Sequence, residues 1–255
     1  MGNILALVQK EVRGYFVSPI AYVLLVFFTL LFGWFYIASL NLMLQLSGGN
    51  FGMGGPQVVN VNEFMIRPLF GNTAVILLFL LPMLTMRSYA EEKRSGTIEL
   101  LLTSPLSDFQ IIMGKFLGAL ALYTLMLALT GIHIAMLFQY GEPEWGPILT
   151  GYLGLILMGS SFISIGLAIS SMTKNQIVAG VATFAVLLLF WIINWIGDAS
   201  GSTAQSVLAY LSILEHFDDF SKGVIDTKHL TYYLSFIGLG LFLTAKSMDT
   251  ARWNG

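Results

Sequence analysis

Cysteine is absent from this sequence of 255 residues, and charged side chains make up only 10% of it. Without thiols the chain forms no disulfides and does no thiol chemistry, so cysteine usage does not indicate its compartment. The net charge of -2 gives no support for nucleic-acid binding. What the sequence does contain is apolar: 56% of its residues are hydrophobic and its mean hydropathy is +0.79. This composition excludes a water-soluble globule and predicts an integral membrane protein.

Apolar runs near the length of a bilayer crossing recur along the chain and predict an all-α protein with six transmembrane helices. A span needs roughly 20 residues, so the chain has room for about six and for no large soluble domain besides. The last run is short, but His229, Tyr232 and Tyr233 flank it as interfacial residues do. The predicted spans are 19–40, 69–86, 116–140, 150–172, 177–196 and 230–245.

The distribution of Lys and Arg predicts the orientation of these spans. An even number of spans places both termini on one side of the membrane, and the positive-inside rule makes the side richer in Lys and Arg cytoplasmic. The termini share their side with most of these residues, which predicts cytoplasmic termini in a bacterial inner membrane. On that side lie Lys10, Arg13, Arg87, Lys93, Arg94, Lys115, Lys174, Lys246 and Arg252, against Arg67, Lys222 and Lys228 on the other.

The segment 1–18 is predicted to be an amphipathic helix that lies on the cytoplasmic surface. Its apolar residues at positions 4, 5, 8, 12, 15 and 16 have helical spacing, and Lys10, Glu11 and Arg13 supply its charge. A simple basic anchor that sets topology is an alternative that stays open. The segment resembles a signal peptide superficially, but the following run is long enough to span and no small-residue cleavage site follows, so we expect a retained first span.

A glycine-rich stretch at 47–56 invites comparison with phosphate-binding loops. It lacks the Gly-Lys-Ser/Thr ending that grips phosphate, and the predicted topology puts it on the side of the membrane without nucleotide. We interpret it as a flexible linker. No other segment offers a nucleotide site.

The loop 87–115 contains the longest charged stretch of the chain. Good helix formers run from position 91 to 102, the triplet 95–97 divides them into two short pieces, and Pro105 ends them. Charges before the break and apolar side chains after it suit a short helix that docks into a groove of a soluble partner. A solvated charged turn is the alternative. Glu91 and Glu92 are poor candidates for acid–base catalysis, because an exposed pair beside Lys93 and Arg94 has nothing to raise a carboxyl pKa.

At this loop the chain resembles the membrane subunits of type-2 ABC (ATP-binding cassette) transporters. Their first cytoplasmic loop typically reads Glu-x-x-x-Gly-Thr-x-Glu-x-Leu-x-x-x-Pro. The likeness extends to nearly the whole chain, and the outer segment 215–226 is similar to the gliding-associated and copper-maturation (nitrous oxide reductase) branches. The matching positions are Glu92, Gly96, Thr97, Glu99, Leu101 and Pro105, with Ser107, Gly114 and Lys115 continuing the pattern.

The resemblance implies one type-2 ABC transmembrane domain over 1–255, with a coupling helix at about 91–103 and short re-entrant helices within 194–229. It implies two copies each of the permease and a cytoplasmic ATPase that binds ATP and Mg²⁺, so that this chain has no catalytic residue, metal or cofactor of its own. The second permease is the same or a homologous chain, and an auxiliary or periplasmic subunit is possible. Residues expected to contact the ATPase are Glu91, Glu92, Arg94, Gly96, Thr97, Glu99, Leu100, Leu101 and Pro105. The interfacial helix contributes Lys10, Glu11 and Arg13 as its own site residues.

Three further features have two interpretations each. The fourth span is rich in Gly and Ser, which permit tight helix packing or line a substrate path. His133 lies inside the third span, where an ionisable residue is either functional or a neutral, hydrogen-bonded side chain. The outer-loop residues His216, Asp218, Asp219 and His229 are weighed as a metal cluster, but nothing in the sequence fixes their geometry.

Two function classes follow from these patterns. The first is the permease of an ABC exporter, and the second is a non-transporting scaffold that relays ATPase motion to periplasmic or motility-associated partners. The few polar residues in the predicted spans keep the scaffold open. A secondary transporter ranks last because it needs paired intramembrane charges that this chain lacks.

Overall fold

The computed structural model describes residues 2–47, 60–140, 142–200 and 202–253. Within these ranges the chain is helical apart from short connections and contains no strand, which confirms the all-α fold. The glycine-rich stretch predicted as a linker lies, after Ser47, outside the described residues. A π-helix, Asn62–Ile66, directly precedes α3. The α-helices are α1 (Gly2–Val17), α2 (Pro19–Ser47), α3 (Arg67–Thr85), α4 (Ala90–Ser95), α5 (Ile98–Leu102), α6 (Asp108–Tyr140), α7 (Trp145–Met172), α8 (Gln176–Ser200), α9 (Ser202–Leu211), α10 (Ile213–Ser221) and α11 (Thr227–Trp253).

Five helical segments of the described chain are long and apolar enough to cross a membrane, and they contain or overlap the first five predicted spans. The sixth predicted span falls in α11, which is 27 residues long but is not among the five. Polar side chains lower its hydropathy, since Lys228 and His229 stand at its start and Lys246 interrupts its second half. The five segments are Pro19–Ser47, Asn62–Ser95, Asp108–Gln139, Trp145–Met172 and Gln176–Ile193.

Helix α7 is the centre of the bundle. It packs against α3, α6, α8, α10 and α11. Of its most apolar stretch of 18 residues 78% is buried, compared with 28% for α2 and 22% for α8. Its small residues permit this, in line with the first of their two interpretations: a Cβ on Gly159 would lie 2.3 Å from the Tyr123 ring, and a Cβ on Gly154 would lie 2.7 Å from Phe220. The fully buried Tyr123 in turn donates a hydrogen bond to the Leu155 carbonyl at 2.5 Å.

The bundle has two ends, which α7 connects. At one, which we call the junction end, α1, α4 and α5 gather near the last turn of α7, where Ser170 bonds Met86. At the other, the distal end, α9 and α10 lie near its first turns, where Thr150 donates to the Phe220 carbonyl at 2.7 Å. About 20 residues of helix separate these two bonds, a rise of about 30 Å.

Close packing at Gly159 is testable by a single methyl group. We expect Gly159→Ala to destabilise the protein by roughly 1–3 kcal/mol, because the added Cβ meets the buried Tyr123 ring and the helix must shift. Gly131→Ala on α6 is the matched control, since a Cβ there meets nothing within 4 Å. Equilibrium unfolding of the two variants in the same detergent would measure the difference. Equal stabilities would show that α7 and α6 are not packed as closely as described.

Candidate functional site

The predicted coupling segment is formed by two short helices, α4 and α5, that Gly96 separates. Gly96 has φ +74° and ψ 0°, the left-handed conformation in which glycine ends a helix at no steric cost. Within α4, Glu91 and Glu92 occupy the first turn, and Lys93 and Arg94 occupy the last, an order that the helix dipole favours. The predicted break at 95–97 is therefore confirmed, and the segment 91–103 is not one continuous helix.

The N-terminus of α4 is capped by a side chain of α7. The backbone N–H groups of Tyr89 and Ala90 donate to Ser170 Oγ at 3.1 and 3.2 Å, and that hydroxyl donates to the Met86 carbonyl at 3.0 Å. Tyr89, the residue at the N-cap position, makes no side-chain cap of its own. Since N–H groups at a helix start need an acceptor, Ser170 satisfies them from a distant part of the sequence.

The other end of this contact is the C-terminus of α7. Lys93 Nζ of α4 donates to the Ser171 carbonyl, and Ser247 Oγ of α11 donates to the same oxygen at 2.9 Å. A carbonyl in the last turn of a helix has no partner within that helix, so these two donors supply it. Helices α4, α7 and α11 therefore meet at one carbonyl oxygen.

Lys115 is a buried cation that joins three helices. Its ammonium donates to the Ser88 carbonyl at 2.8 Å, to Glu92 Oε1 at 2.8 Å and to Glu11 Oε1 at 3.0 Å, which uses all three of its N–H groups. Only 4% of its side chain is exposed. The nitrogen also lies 5.1 Å from the centre of the Tyr89 ring. One ammonium thus connects α1, α4 and α6 in a setting where an unpaired charge would be costly.

Two glycines of α6 bring α1 within reach of this cation. A Cβ on Gly114 would lie 2.6 Å from Leu7 Cβ, and one on Gly118 would lie 2.7 Å from Glu11 Cβ. Their i, i+4 spacing makes a groove along α6 in which α1 lies. The helix predicted for the N-terminus is present, and its half-buried residues have the helical repeat of an amphipathic face: Ile4, Leu7, Val8, Glu11, Val12, Tyr15 and Phe16.

A cleft of about 320 Å³ opens between α1 and α4 beside this cluster, lined by Lys10, Tyr15 and Arg87 among others. Lys10 reaches to 3.9 Å from Glu92 at its rim, while Glu92 Oε2 is buried with no hydrogen-bond partner in the described part of the chain. The contact between α1 and α4 therefore runs through charged side chains across a gap, with little apolar packing. Such a joint can change its geometry without exposing a large apolar area.

The residues predicted for the coupling segment and for the interfacial helix divide into a partly buried group and an exposed group. Glu92, Glu11 and Leu101 are at least partly buried and hold the junction together, so the prediction of an exposed Glu91–Glu92 pair is wrong for Glu92; Glu91 is exposed and pairs with Arg87 at 3.0 Å. Lys10 and Arg13 are exposed on α1. The rest form an exposed surface, which we call the α4–α5 surface, composed of Arg94, Gly96, Thr97, Glu99, Leu100 and Pro105.

Sequence reasoning missed the residues that anchor this surface. In the sequence Lys115 is only part of a family pattern, and its one signal is a single cation in the first turns of an apolar helix. The serines of α7 have the pattern of small packing residues, and Lys93 that of a charge on a docking segment. Their roles depend on contacts about 80 residues apart in the chain.

The other candidate residues have defined places. His133 lies edge-on to the Phe32 and Tyr36 rings, at 5.4 Å from each, and its Nδ1 has no hydrogen-bond partner among the described residues. In the same described residues no group of three or more His, Asp or Glu side chains has the arrangement of a metal site, so the outer-loop residues gain no support as one. The small residues of α7 serve helix packing at the positions described above.

The sequence is similar to known transport proteins. A family model described as "ABC-2 family transporter protein" matches residues 55–197, from before α3 into α8. The chain is 28% identical over 144 residues to the probable multidrug ABC transporter permease YbhR of Escherichia coli (strain K12), and equally to the protein of that name from Escherichia coli O157:H7. The aligned stretch is 55% of this chain and 38% of each relative, so the chain spans less than half the length of the curated relatives it matches.

Removal of the Lys115 ammonium is expected to be costly. Lys115→Met leaves the carboxylates of Glu11 and Glu92 facing each other without a cation, a change that typically costs roughly 3–5 kcal/mol. Lys10→Met is the matched control: that side chain is 62% exposed, and we expect a loss of about 1 kcal/mol or less. Adding Glu11→Gln and Glu92→Gln to Lys115→Met should restore much of the stability. Detergent unfolding curves in which both lysine variants lose equal stability would contradict this role.

The cap provided by Ser170 has its own test. Ser170→Ala removes the acceptor for two N–H groups of α4, and we expect a loss of about 1–2 kcal/mol with faster hydrogen exchange at Tyr89 and Ala90. Ser160→Ala on the same helix is the control, because the described bond of Ser160 is to Ile156 within its own helix. Hydrogen exchange read by mass spectrometry over peptides covering 86–95 distinguishes the two. Unchanged exchange in Ser170→Ala would show that α4 does not depend on this bond.

Proposed function

Because this chain belongs to the ABC-2 family of transporter proteins, we propose that it is the membrane permease subunit of an ATP-driven exporter. In this proposal a separate cytoplasmic ATPase binds ATP and Mg²⁺, and the α4–α5 surface is where that subunit docks. The permease itself performs no catalysis. Its task is to convert motion of the ATPase into motion of its helices.

The observation that carries this proposal is an exposed leucine on a firmly anchored element. Leu100 is 73% exposed and stands among the polar residues Arg94, Thr97 and Glu99. A large apolar side chain with a polar rim is typical of a docking contact, where the apolar group enters a pocket and the charges set orientation. The charges of α4 and the leucine of α5 lie on either side of the bend at Gly96.

The anchoring gives a path for motion. A displacement of α4 acts on α7 through Ser170 and Ser171, and on α1 and α6 through Lys115. Each of these contacts is a short polar bond between rigid helices, so we expect movement of the ATPase to tilt the helices as rigid bodies. The charged joint between α1 and α4 is the part that changes shape.

We propose that α11 is the sixth span. At the distal end Tyr233 of α11 donates to the Ile213 carbonyl at 2.9 Å, and at the junction end Ser247 bonds Ser171. The helix therefore runs the same length of the bundle as α7, against which it packs. A crossing by α7 requires a crossing by α11, and six spans return the C-terminus to the side of α1. On this proposal both termini lie in the cytoplasm, and α9 and α10 cap the outer leaflet.

The assembly we propose contains two permeases and two ATPases, the second permease being the same or a homologous chain. The gliding-associated and copper-maturation branches, with an auxiliary or periplasmic subunit, remain the proposed place within the family. The relatives are named as probable multidrug permeases, and we propose an amphiphilic cargo for this chain. Support comes from a distal cavity of about 600 Å³ whose lining combines Phe64 and Trp191 with the Arg67–Asp218 ion pair.

The role of the bend at Gly96 in coupling can be tested with a residue that cannot adopt its backbone conformation. Proline fixes φ near −65°, which is incompatible with φ +74° at this position. We expect Gly96→Pro, and likewise Glu99→Arg, to leave the protein inserted and folded but to abolish its stimulation of the ATPase. ATP hydrolysis by the reconstituted complex, together with copurification of its subunits, measures both effects. Normal stimulation and normal complex formation in both variants would refute the docking assignment.

The role of Leu100 has a matched control on another helix. Leu100→Gln should weaken ATPase binding roughly tenfold or more, since a buried hot-spot side chain contributes about 2 kcal/mol. Ile177 at the start of α8 is equally exposed at 73%, and Ile177→Gln should leave binding unchanged. Affinities of the purified ATPase for each variant in nanodiscs decide between them. Equal affinities would place the docking surface elsewhere.

A further inference from the structure

Two buried histidines join α10 to α11 at the distal end. His216 is 3% exposed and His229 is 4% exposed, and their Nδ1 atoms lie 2.6 Å apart. On the far side of each ring, His216 Nε2 lies 2.8 Å from the Tyr210 carbonyl and His229 Nε2 lies 2.8 Å from Asp219 Oδ2. The four groups form a hydrogen-bonded row: Tyr210, His216, His229 and Asp219.

The order of acceptors in this row determines where the protons are. A carbonyl only accepts, so His216 Nε2 carries a proton, and in a neutral ring its Nδ1 is then an acceptor. His229 Nδ1 must therefore donate to it. His229 Nε2 faces a carboxylate, which also accepts, so the His229–Asp219 pair holds one more proton between these two atoms. Every hydrogen bond of the row is satisfied when His216 is neutral and His229 and Asp219 share one proton.

One more proton breaks the row. If His216 takes up a proton at Nδ1, its N–H group faces the N–H group of His229. The two nitrogens are 2.6 Å apart, which leaves room for only one hydrogen between them. The two donors have no acceptor between them, and two positive rings face each other beside one carboxylate. The rings must separate, and the contact that they make between α10 and α11 is lost.

The charged and titratable neighbours of the two histidines named here lie on α9, α10 and α11. Asp219 stands on α10 and Lys228 on α11; they act on His216 in opposite directions. Tyr232 stacks on the His216 ring at 3.9 Å, Tyr233 lies 6.4 Å from it, and Tyr210 contributes its ring and its carbonyl. Helix α7, which packs on α10, has no charged residue in its sequence. Asp219, the carboxylate that favours a charge on His216, is itself bonded to His229 and not to His216.

We propose that His216 and His229 form a proton-operated latch, which holds α10 against α11 at neutral pH and releases it when the outer compartment becomes acidic. Burial lowers the pKa of His216 below its ordinary value of about 6.5. A histidine with a lowered pKa stabilises the closed form when neutral, and this contribution is lost as pH falls from about 6.5 through its own lower pKa. The latch is thus closed at pH 7.5 and weakens progressively below about pH 6.5.

The other bonds of α10 do not respond in this range. Asp218 pairs with Arg67 of α3 at 2.6 Å and with Lys222 at 2.5 Å. Burial alone would raise the pKa of the Asp218 carboxyl, but hydrogen bonds from Lys222 and Arg67 outweigh it and leave that pKa lowered. Thr150 also holds the Phe220 carbonyl. Acid therefore breaks the His216–His229 contact between α10 and α11. The Tyr233–Ile213 bond between these two helices and the α3 and α7 contacts of α10 remain, so α10 loosens from α11 beside the distal cavity without detaching.

Histidine NMR tests the proton arrangement on the whole chain, which has only three histidines. Ring-¹⁵N-labelled protein in nanodiscs is titrated from pH 7.5 to 5.0, first without and then with EDTA, and signals are assigned by His133→Gln, His216→Gln and His229→Gln. At pH 7.5 we expect a neutral His216 with its proton on Nε2, and a His229 ring with N–H at both nitrogens or sharing one with Asp219. Two independent neutral rings that titrate near pH 6.5 would overturn the latch, as would a change on adding EDTA, which would indicate a metal site.

Hydrogen exchange tests the release itself. After correction for intrinsic rates, amides of α10 should exchange faster at pH 5.0 than at pH 6.5, because below about pH 6.5 the open form takes up a proton at His216 that the closed form does not. His216→Gln does not titrate and should lose this dependence, and His229→Gln, without the opposing charged ring, should reduce it while the effect of burial on His216 remains. His133→Gln should retain it. A dependence that persists in both variants, or is absent from the native chain, would refute the proposal; neither readout requires the ATPase.

Discussion

The hydrogen bonds at the last turn of α7 are the interaction on which the junction end depends. A helix inside a bilayer satisfies its own backbone, but its last carbonyls and the first N–H groups of the next helix have no partner within their own helices. In this protein both sets of groups find partners. Ser170 Oγ accepts hydrogen bonds from the N–H groups at the start of α4, and the side chains of Lys93 and Ser247 donate to a carbonyl at the end of α7. The turn between α3 and α4 is thereby fixed on the most buried helix of the bundle, and the direction in which α4 and α5 project follows from it.

The scarcity of charge in this chain makes the few buried charges structural. Lys115 sits where α1, α4 and α6 meet, and its three donors are matched by three acceptors. At the distal end the histidine row has the same character, because each nitrogen of both rings has one partner. Both clusters lie beside short segments that connect long helices. A polar network that is fully satisfied defines one geometry, and it loses that geometry when a single proton or partner changes.

Composition and hydropathy were enough to predict the helical fold and the position of the first five apolar runs, because these depend on local sequence alone. The bend at Gly96 was equally readable, since a glycine between two sets of helix formers commonly ends the first helix and lets the chain turn into the second. The anchors were not readable. Ser170 and Lys93 act on partners about 80 residues away, and a serine in a Gly- and Ser-rich helix looks the same whether it fills space or caps another helix. Glu92 was predicted to be solvated because its buried partner, Lys115, is 23 residues further along the chain.

Helix α7 runs between the regions of these two polar clusters. Its glycines pack against the rings of Phe70, Phe220 and Tyr123 at distances that leave no room for a methyl group. A helix packed this closely does not deform gradually; it shifts as a unit or stays in place. On the proposed function, motion that enters through Ser170 at the junction end would reach Thr150 and α10 at the distal end as displacement of a rigid rod. With the proposed latch, the state of the histidine row would then decide how tightly α10 moves together with α11, so the same motion of α7 would have two different results at the distal end.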